Sequence, residues 1–567
     1  MTPAPSPRST REDDPSPAKP PPGERRLAPW LALVFCVACL AYANSLPNGF
    51  TLDDKTIVEH NEKIRSLDQI PAIWSSSYWP RHRYIKAYRP LTVTTYALNH
   101  AVHGLRPFGY HLVNVLLHAG VSALVLLLAL RLGVPLAGGL LAGLFFAVHP
   151  IHTDVVSGVV GRAEILAALA FVGGLFLWLR YRESGRWRDL AALVAVYALG
   201  NLAKEQVIVL PGILFVAEFA FHRFGDPAGR RRLAAALAGC AVVLAGIFIL
   251  RAGATGSVLA GNLTAHPATT GLLYGEPLRV RAMTFLKVLQ EIARLFLFPI
   301  TLSPDYTFNQ ISIPRHPDRS VIAGACVALL SLLWFLRARR APRRLLMGLW
   351  AFLIYLPVSN LLVPLPLLFA ERILYVPSIG LAIILGDWLV SGKGWRDRRA
   401  RVALVAMAGV IIVLWGARTV ARNPDWRNQL TLFEAGVKSA PDSAFLHMSY
   451  GIELLNRDRA AEAARELEHA VRIHPELAVA HYKLSIAYQK LGEPVEAERA
   501  IRNLLHFKPD RPTPWVQLGR VLVMQGRPGD AARALRRGLA LNPGNRAITE
   551  LLEEIALQRR QRSAAPP

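Results

Sequence analysis

Two adjacent carboxylates, Asp53 and Asp54, stand in the segment FTLDDKTIVEHNEKI, directly beyond an apolar run. Carboxylates are costly to keep beside a membrane unless they are solvated or employed. Taken alone, the pair reads as a solvated loop turn at least as readily as a catalytic motif. Three further polar motifs follow. HPIHTDVVSGVVGRAEIL carries His149, His152, Asp154, Arg162 and Glu164; Lys204 adjoins Glu205; and Glu371-Arg372 precedes Tyr375. Two histidines and an aspartate at this spacing are the ligand types of a metal site, but no further strong ligand accompanies them. Hydrogen bonding to a substrate, or packing of a sharp turn, is the preferred reading, and metal dependence stays open. Lys204 and Glu205 read as paired with each other or with neighbours.

The elements that must position these motifs are apolar. Of 567 residues, 52% are hydrophobic and 19% charged, too apolar for an ordinary soluble protein. Stretches of about 17–25 residues, long enough to span a bilayer, recur along the chain. Spans are placed near 27–46, 109–130, 135–148, 163–179, 190–203 and 207–221, then near 233–250, 320–336, 345–361, 372–390 and 402–418. The first ends in Ala41-Tyr42-Ala43, which imitates a signal-peptidase site, yet its length of about 20 residues favours a retained span. Cys36, Cys39, Cys240 and Cys326 all fall in apolar segments and read as small packing residues.

The formal charge of +25 is gathered largely in four short loops between apolar segments, where it records membrane orientation and not nucleic-acid binding. They hold Arg180, Arg182, Arg186 and Arg188; Arg223 and Arg230 to Arg232; Arg337, Arg339, Arg340, Arg343 and Arg344; and Lys393, Arg396, Arg398, Arg399 and Arg401. The positive-inside tendency places all four in the cytoplasm. Segment 283–300 would break that scheme as a span, but Lys287, Glu291 and Arg294 share one helical face, which suits an interfacial or re-entrant helix. The expected fold is all-α: a polytopic bundle of about eleven spans, with the N-terminus cytoplasmic and the C-terminus outside. The four polar motifs then lie at external span ends, on one face, as a single active site requires.

Pro441, Pro475, Pro509 and Pro543 are spaced by 34 residues, the tetratricopeptide period. Repeats are expected at 444–477, 478–511 and 512–545, with residues 546–560 as a polar capping helix. Small residues recur where paired helices approach closely, among them Gly451, Ala463, Ala497, Gly519 and Ala531. The concave face of this α-solenoid suits an extended peptide, intramolecular packing or dimerisation. Residues 1–26, rich in Pro, Ser, Arg and Lys, read as a disordered cytoplasmic tail. Residues 27–421 form the membrane domain, 47–108 its first external loop with an interfacial helix near 91–103, 422–443 a linker, and 444–560 the repeat domain.

At this point the sequence resembles a known family. YRPLTVTTYALN (88–99), GYHLVNVLLH (109–118), FAVHPIHTDVVSGVVGRAE (146–164), LAKEQ (202–206), ERILYVPSIG (371–380) and RNPDW followed by LF (422–433) are similar to the transmembrane and tetratricopeptide-repeat-containing O-mannosyltransferases. The resemblance runs from about Asn44 into the repeats. It implies a GT-C-like glycosyltransferase that takes a hexose from a polyprenyl-phosphate donor to Ser/Thr hydroxyls of exported proteins, with inversion. It places Asp53, together with Asp54, at the catalytic position. A carboxylate can serve as the base for an acceptor hydroxyl, and the departing phosphate needs a cation. Arg372 and Lys204 are the first candidates for that partner, with Arg89 and Arg162 behind them. His149, His152, Asp154, Glu164, Glu205, Glu371 and Tyr375 are expected to bind substrate or support the site. No cofactor beyond the lipid-linked donor is implied. The implied partners are membrane lipids and an acceptor protein held by the repeats, without nucleic acid. The Arg- and Ala-rich composition points to a bacterial plasma membrane. The competing readings are a membrane-anchored repeat scaffold and a transporter.

Overall fold

In a computed structural model, the described residues 27–79, 86–258 and 272–564 form helices and connecting turns, with no strand among them. The expected tail, 1–26, lies outside the described residues. Each of the eleven expected spans contains a helix: Ala28–Tyr42, Pro107–Arg131, Leu136–Val148, Arg162–Ser184, Trp187–Ala203, Leu210–His222, Pro227–Thr255, Arg319–Ala338, Pro342–Tyr355, Tyr375–Ser391 and Arg398–Arg422. Among the described residues, eight stretches are long and apolar enough to cross a membrane, or nine if Leu136–Val148 and Pro150–Val156, bent by 48°, count as one. The count of full-length spans is therefore below eleven, for local reasons. Leu136–Val148 stops at His149-Pro150, because proline disfavours helix at the residue before it. Trp187–Ala203 stops where Lys204 adopts extended backbone, φ −157° and ψ 133°. Pro342–Tyr355 gives way to a tight turn containing Pro357.

Close crossings are made by small residues, as expected where helices pack without a hydrophobic drive between them. Gly138 and Gly386 face each other between Leu136–Val148 and Tyr375–Ser391, and a Cβ on Gly386 would run into the Gly138 carbonyl. The basic loops meet at one end of the bundle. There Arg343 donates to the Gly133 carbonyl (3.0 Å) and pairs with Asp387 (2.8 Å), and Arg223 donates to the Arg339 carbonyl (2.9 Å). Arg182 pairs with Glu218 and Asp226, each at 2.8 Å.

Helix Leu278–Leu297 is strongly amphipathic and is not among the membrane-length helices. Near its start Arg281 donates to the Leu362 carbonyl (3.1 Å), and near its end His149 bonds the Phe296 carbonyl (3.0 Å). Residues 149 and 362 both belong to the end opposite the basic loops, so this helix lies across that end, as an interfacial helix would. The same end carries the first loop, which folds as a cap around its own small core of Phe50, Ile57, Val58, Ile64, Ile73, Tyr96 and Tyr110, with helix Pro90–His103 on top.

The repeats are three helix pairs: Ala444–Leu455 with Ala460–Ile473, Ala478–Lys490 with Pro494–Phe507, and Pro512–Met524 with Pro528–Leu541. Arg546–Ala564 follows as a final helix. Gly451 and Gly519 are needed as glycine, since a Cβ on either would collide with Leu467 or Leu535 of the partner helix. Gly492 and Gly526 close their turns at φ 75° and 70°, and Asp458 fills the equivalent place in the first pair at φ 58°.

Candidate active site

The acidic pair splits into two environments. The turn from Thr51 to Lys55 is closed by Asp54 N–H to the Thr51 carbonyl (2.9 Å). Asp54 is 1% exposed and accepts three backbone N–H bonds, from Thr51 (3.2 Å), Val159 (3.2 Å) and Val160 (2.8 Å). Burial pushes its carboxyl up to about 7 against the pull of those donors. It ties the first loop to the turn that begins Arg162–Ser184. Asp53, on the other side of the turn, is open: its side chain is 33% exposed and its Oδ2 lies 3.4 Å from Arg372 Nη1, itself 30% exposed. The Arg372 backbone N–H in turn donates to Asp154 Oδ2 at 3.3 Å, so the buried Asp154 holds the start of Tyr375–Ser391 in place.

The other candidate cations are differently engaged. Arg89 donates to Glu205 Oε2 (2.8 Å), whose Oε1 takes the Tyr88 N–H (3.1 Å), and its guanidinium lies over the Tyr78 ring at 4.9 Å. Burial opposes the charge of Arg89, but the Glu205 carboxylate holds the guanidinium above its usual range. Lys204 is mostly buried and pairs with Glu164, not with its neighbour Glu205. Arg162 is 1% exposed, with its donors on neutral acceptors: Asn114 Oδ1 (2.9 Å), Asn99 Oδ1 (2.8 Å), the Thr95 carbonyl (3.2 Å) and the Tyr110 carbonyl (3.0 Å). It also faces the Tyr96 ring at 4.9 Å. Its N–H groups are thus engaged by Asn114, Asn99, Thr95 and Tyr110.

His149, His152 and Tyr375 form an aromatic knot beneath the site, away from the open carboxylate. His152 bonds the Phe146 carbonyl (2.9 Å) and Ser378 Oγ (2.9 Å), while the Tyr375 hydroxyl bonds His118 Nδ1 (2.8 Å). His149 receives the Ile151 N–H at Nδ1, which leaves Nε2 to donate to Phe296. These are the bonds of a packed turn at the His149-Pro150 break. Among the described residues no three His, Cys, Asp or Glu side chains converge as metal ligands.

Glu371 is turned the opposite way from Arg372. Its carboxylate accepts the Ser303 N–H (2.7 Å) and the Tyr306 hydroxyl (2.6 Å). Ser303, Asp305 and Tyr306 were not singled out from sequence. Their segment, ITLSPDYTF, is a polar stretch after the interfacial helix, and its only signal was a carboxylate beside an aromatic. Asp305 Oδ2 accepts from Thr307 and from Ser443 Oγ (2.9 Å), joining the site to the first repeat. The RNPDW motif is a clamp: Asn423 donates to the Ala41 carbonyl (2.9 Å), accepts from Ser157 (3.0 Å), and its carbonyl receives Asn48 Nδ2 (2.9 Å).

Comparison with known proteins agrees with this architecture. Tetratricopeptide-repeat models match residues 478–503 and 512–555. Over 78% of its length the chain is 28% identical to protein O-mannosyl-transferase TMTC3 of Mus musculus, covering 51% of it. It is 29% identical to Tmtc3 of Drosophila melanogaster, covering 55% of that protein, with 78% of this chain aligned. Human TMTC4 is 29% identical over 77% of this chain and 65% of its own length. The chain thus spans from about half to two thirds of the length of these relatives. Among solved structures, the first tetratricopeptide domain of human RPAP3 overlays 22% of this chain and 99% of its own, at 17% identity and a TM-score of 0.21. With its apolar helices, its repeats and these alignments, the chain is an integral membrane protein whose homologues are the transmembrane and tetratricopeptide-repeat-containing protein O-mannosyl-transferases.

Proposed function

We propose that the chain transfers mannose or another hexose from a polyprenyl-phosphate donor to Ser/Thr hydroxyls of exported proteins, with inversion at the sugar. One observation carries the reading: Asp53 and Arg372, 319 residues apart, meet partly exposed at 3.4 Å while the neighbouring ionisable groups are committed to other partners. In the proposed reaction the Asp53 carboxylate takes the proton as the acceptor oxygen attacks the anomeric carbon. The sugar–phosphate C–O bond breaks on the opposite face, so the 3.4 Å Asp53–Arg372 pair opens as the donor enters, the carboxylate turning to the acceptor and the guanidinium, with Arg89 nearby, to the leaving phosphate. A single displacement inverts the anomeric centre. Asp54, Asp154, Lys204 and Glu164 hold the geometry, and the repeat groove presents the acceptor chain. The relatives' shared name supports the reading.

The direct test is the purified full chain in lipid, given a polyprenyl-phosphate mannose and Ser/Thr-containing peptides, with mass spectrometry of the peptides. Glycoproteomics of envelope proteins, with and without the gene, supplies the acceptors. Hexose gained at defined Ser or Thr sites is expected. No hexose in either experiment would give first place to the scaffold reading.

Orientation follows from the separation of charge between the two ends. The end where the arginine loops meet is proposed to face the cytoplasm of a bacterium, and the Asp53 end and the repeats to face outward. Reporter fusions after residues 185, 226, 340 and 397 should read cytoplasmic, and fusions within the repeats external. A cytoplasmic repeat domain would make Leu278–Leu297 a true span and overturn this arrangement.

A further inference from the structure

Leu52, immediately before the acidic pair, has φ 46°, one of five non-glycine residues in the left-handed region among those described. A leucine held there is strained and persists only where its surroundings over-determine it. The surroundings come from the other end of the chain. Leu52 packs against the cluster of Phe433, Ala440 and Leu446, alongside Val437 and Tyr450. These residues lie on or directly after Gln429–Ser439, or on Ala444–Leu455, the helices at the base of the repeat domain. Two hydrogen bonds run beside this contact: the main-chain Gly49 N–H to the Arg427 carbonyl (2.9 Å) and the Asn48 side-chain Nδ2 to the Asn423 carbonyl (2.9 Å). The left-handed residue reverses the chain just ahead of the pair, and Asp54 then turns inward to Val159 and Val160 while Asp53 turns toward Arg372.

We propose that Leu52 is a positioning residue, through which the base of the repeat domain fixes the Asp53 carboxylate against Arg372. This rests on the glycosyltransferase reading for its effect on rate, though not for its geometry. The repeats then do more than hold an acceptor: their first helices form part of the frame of the active site. Leu52→Gly is the informative variant, because glycine adopts φ 46° without strain yet has no side chain to anchor in the cluster. If only the backbone angle mattered, it would be neutral.

The test has two arms. In transfer assays, Leu52→Gly and Leu52→Ala should each lower kcat by about tenfold or more, with the donor KM changed by less than about twofold, the signature of a misplaced reacting group. Leu52→Met, which keeps an apolar anchor, should restore most of kcat, and Phe433→Ala should reproduce the loss without adding to that of Leu52→Ala. In the second arm, D53C and R372C are introduced together and bridged by a short bis-thiosulfonate, with or without L52G. The glycine should slow bridging by about fivefold or more, as expected when a fixed geometry is loosened. Wild-type kcat in Leu52→Gly, or undiminished bridging in its presence, overturns the proposal. A wild-type chain that transfers nothing counts against the transferase reading alone, and the bridging arm still decides the positioning role.

Discussion

Asp53→Asn is expected to abolish glycosyl transfer while the protein still inserts and its repeats still fold. The amide nearly preserves the shape of the side chain and can still lie beside Arg372, but it cannot take the acceptor's proton at neutral pH. Loss of a general base typically costs about 100- to 10,000-fold in rate, which a turnover assay with a polyprenyl-phosphate sugar resolves. Asp54→Asn should behave differently. Its two oxygens share three N–H donors, and an amide nitrogen in place of either oxygen would oppose at least one of them. The result should be a turn weakened by about 1–3 kcal/mol, seen as a lower unfolding midpoint and a smaller loss of kcat than for Asp53→Asn. Equal activity of wild type and the Asp53, Asp54 double Asn variant would show that the acceptor's proton goes elsewhere, and would remove both carboxylates from the catalytic role.

The difference between the two aspartates shows what could be read from sequence. Adjacency, and a place beyond an apolar run, marked both Asp53 and Asp54 but could not rank them. Their ranking depends on Val159 and Val160, more than 100 residues away, whose N–H groups turn toward Asp54 because a tight turn interrupts the chain before Arg162. Periodicity was far more informative. The 34-residue proline spacing located each repeat pair, since local helix pairing repeats with the sequence. The apolar runs located the membrane helices, although length could not show that His149-Pro150 and Pro357 would cut two of them short. Arg162 could not be ranked for a physical reason: an arginine at a span end looks the same whether it awaits an anion or is saturated by carbonyls and amides. Its neutral partners Asn99 and Asn114 carry no sequence signal of their own. Leu52 and the Ser303–Tyr306 segment were invisible because their contacts are with residues far away in sequence, the repeat base for Leu52 and Asp305, and Glu371 for Ser303 and Tyr306.

Among the four candidate cations, Arg372 is our proposed phosphate partner, and its variants should test this. Arg89 and Lys204 already face carboxylates, and the donors of Arg162 are spent on neutral acceptors. Arg372 alone among them reaches the open carboxylate, with its backbone fixed by Asp154 and its guanidinium partly exposed. Arg372→Ala should therefore cut kcat by about 100- to 1,000-fold, the usual consequence of removing one preorganised group that meets charge developing in the transition state. Arg372→Lys should recover only part of this, because an ammonium supplies the charge without the planar fork that grips two phosphate oxygens at once. The ion pair with Asp53 complicates a simple reading, since alanine also frees that carboxylate. Lysine separates the two effects: it restores a cation beside Asp53, so any deficit remaining in Arg372→Lys belongs to the phosphate. Measured with a lipid-linked donor, full activity of Arg372→Ala would show that the leaving group is stabilised elsewhere, and Arg89, over the Tyr78 ring at 4.9 Å, would be the next residue to replace.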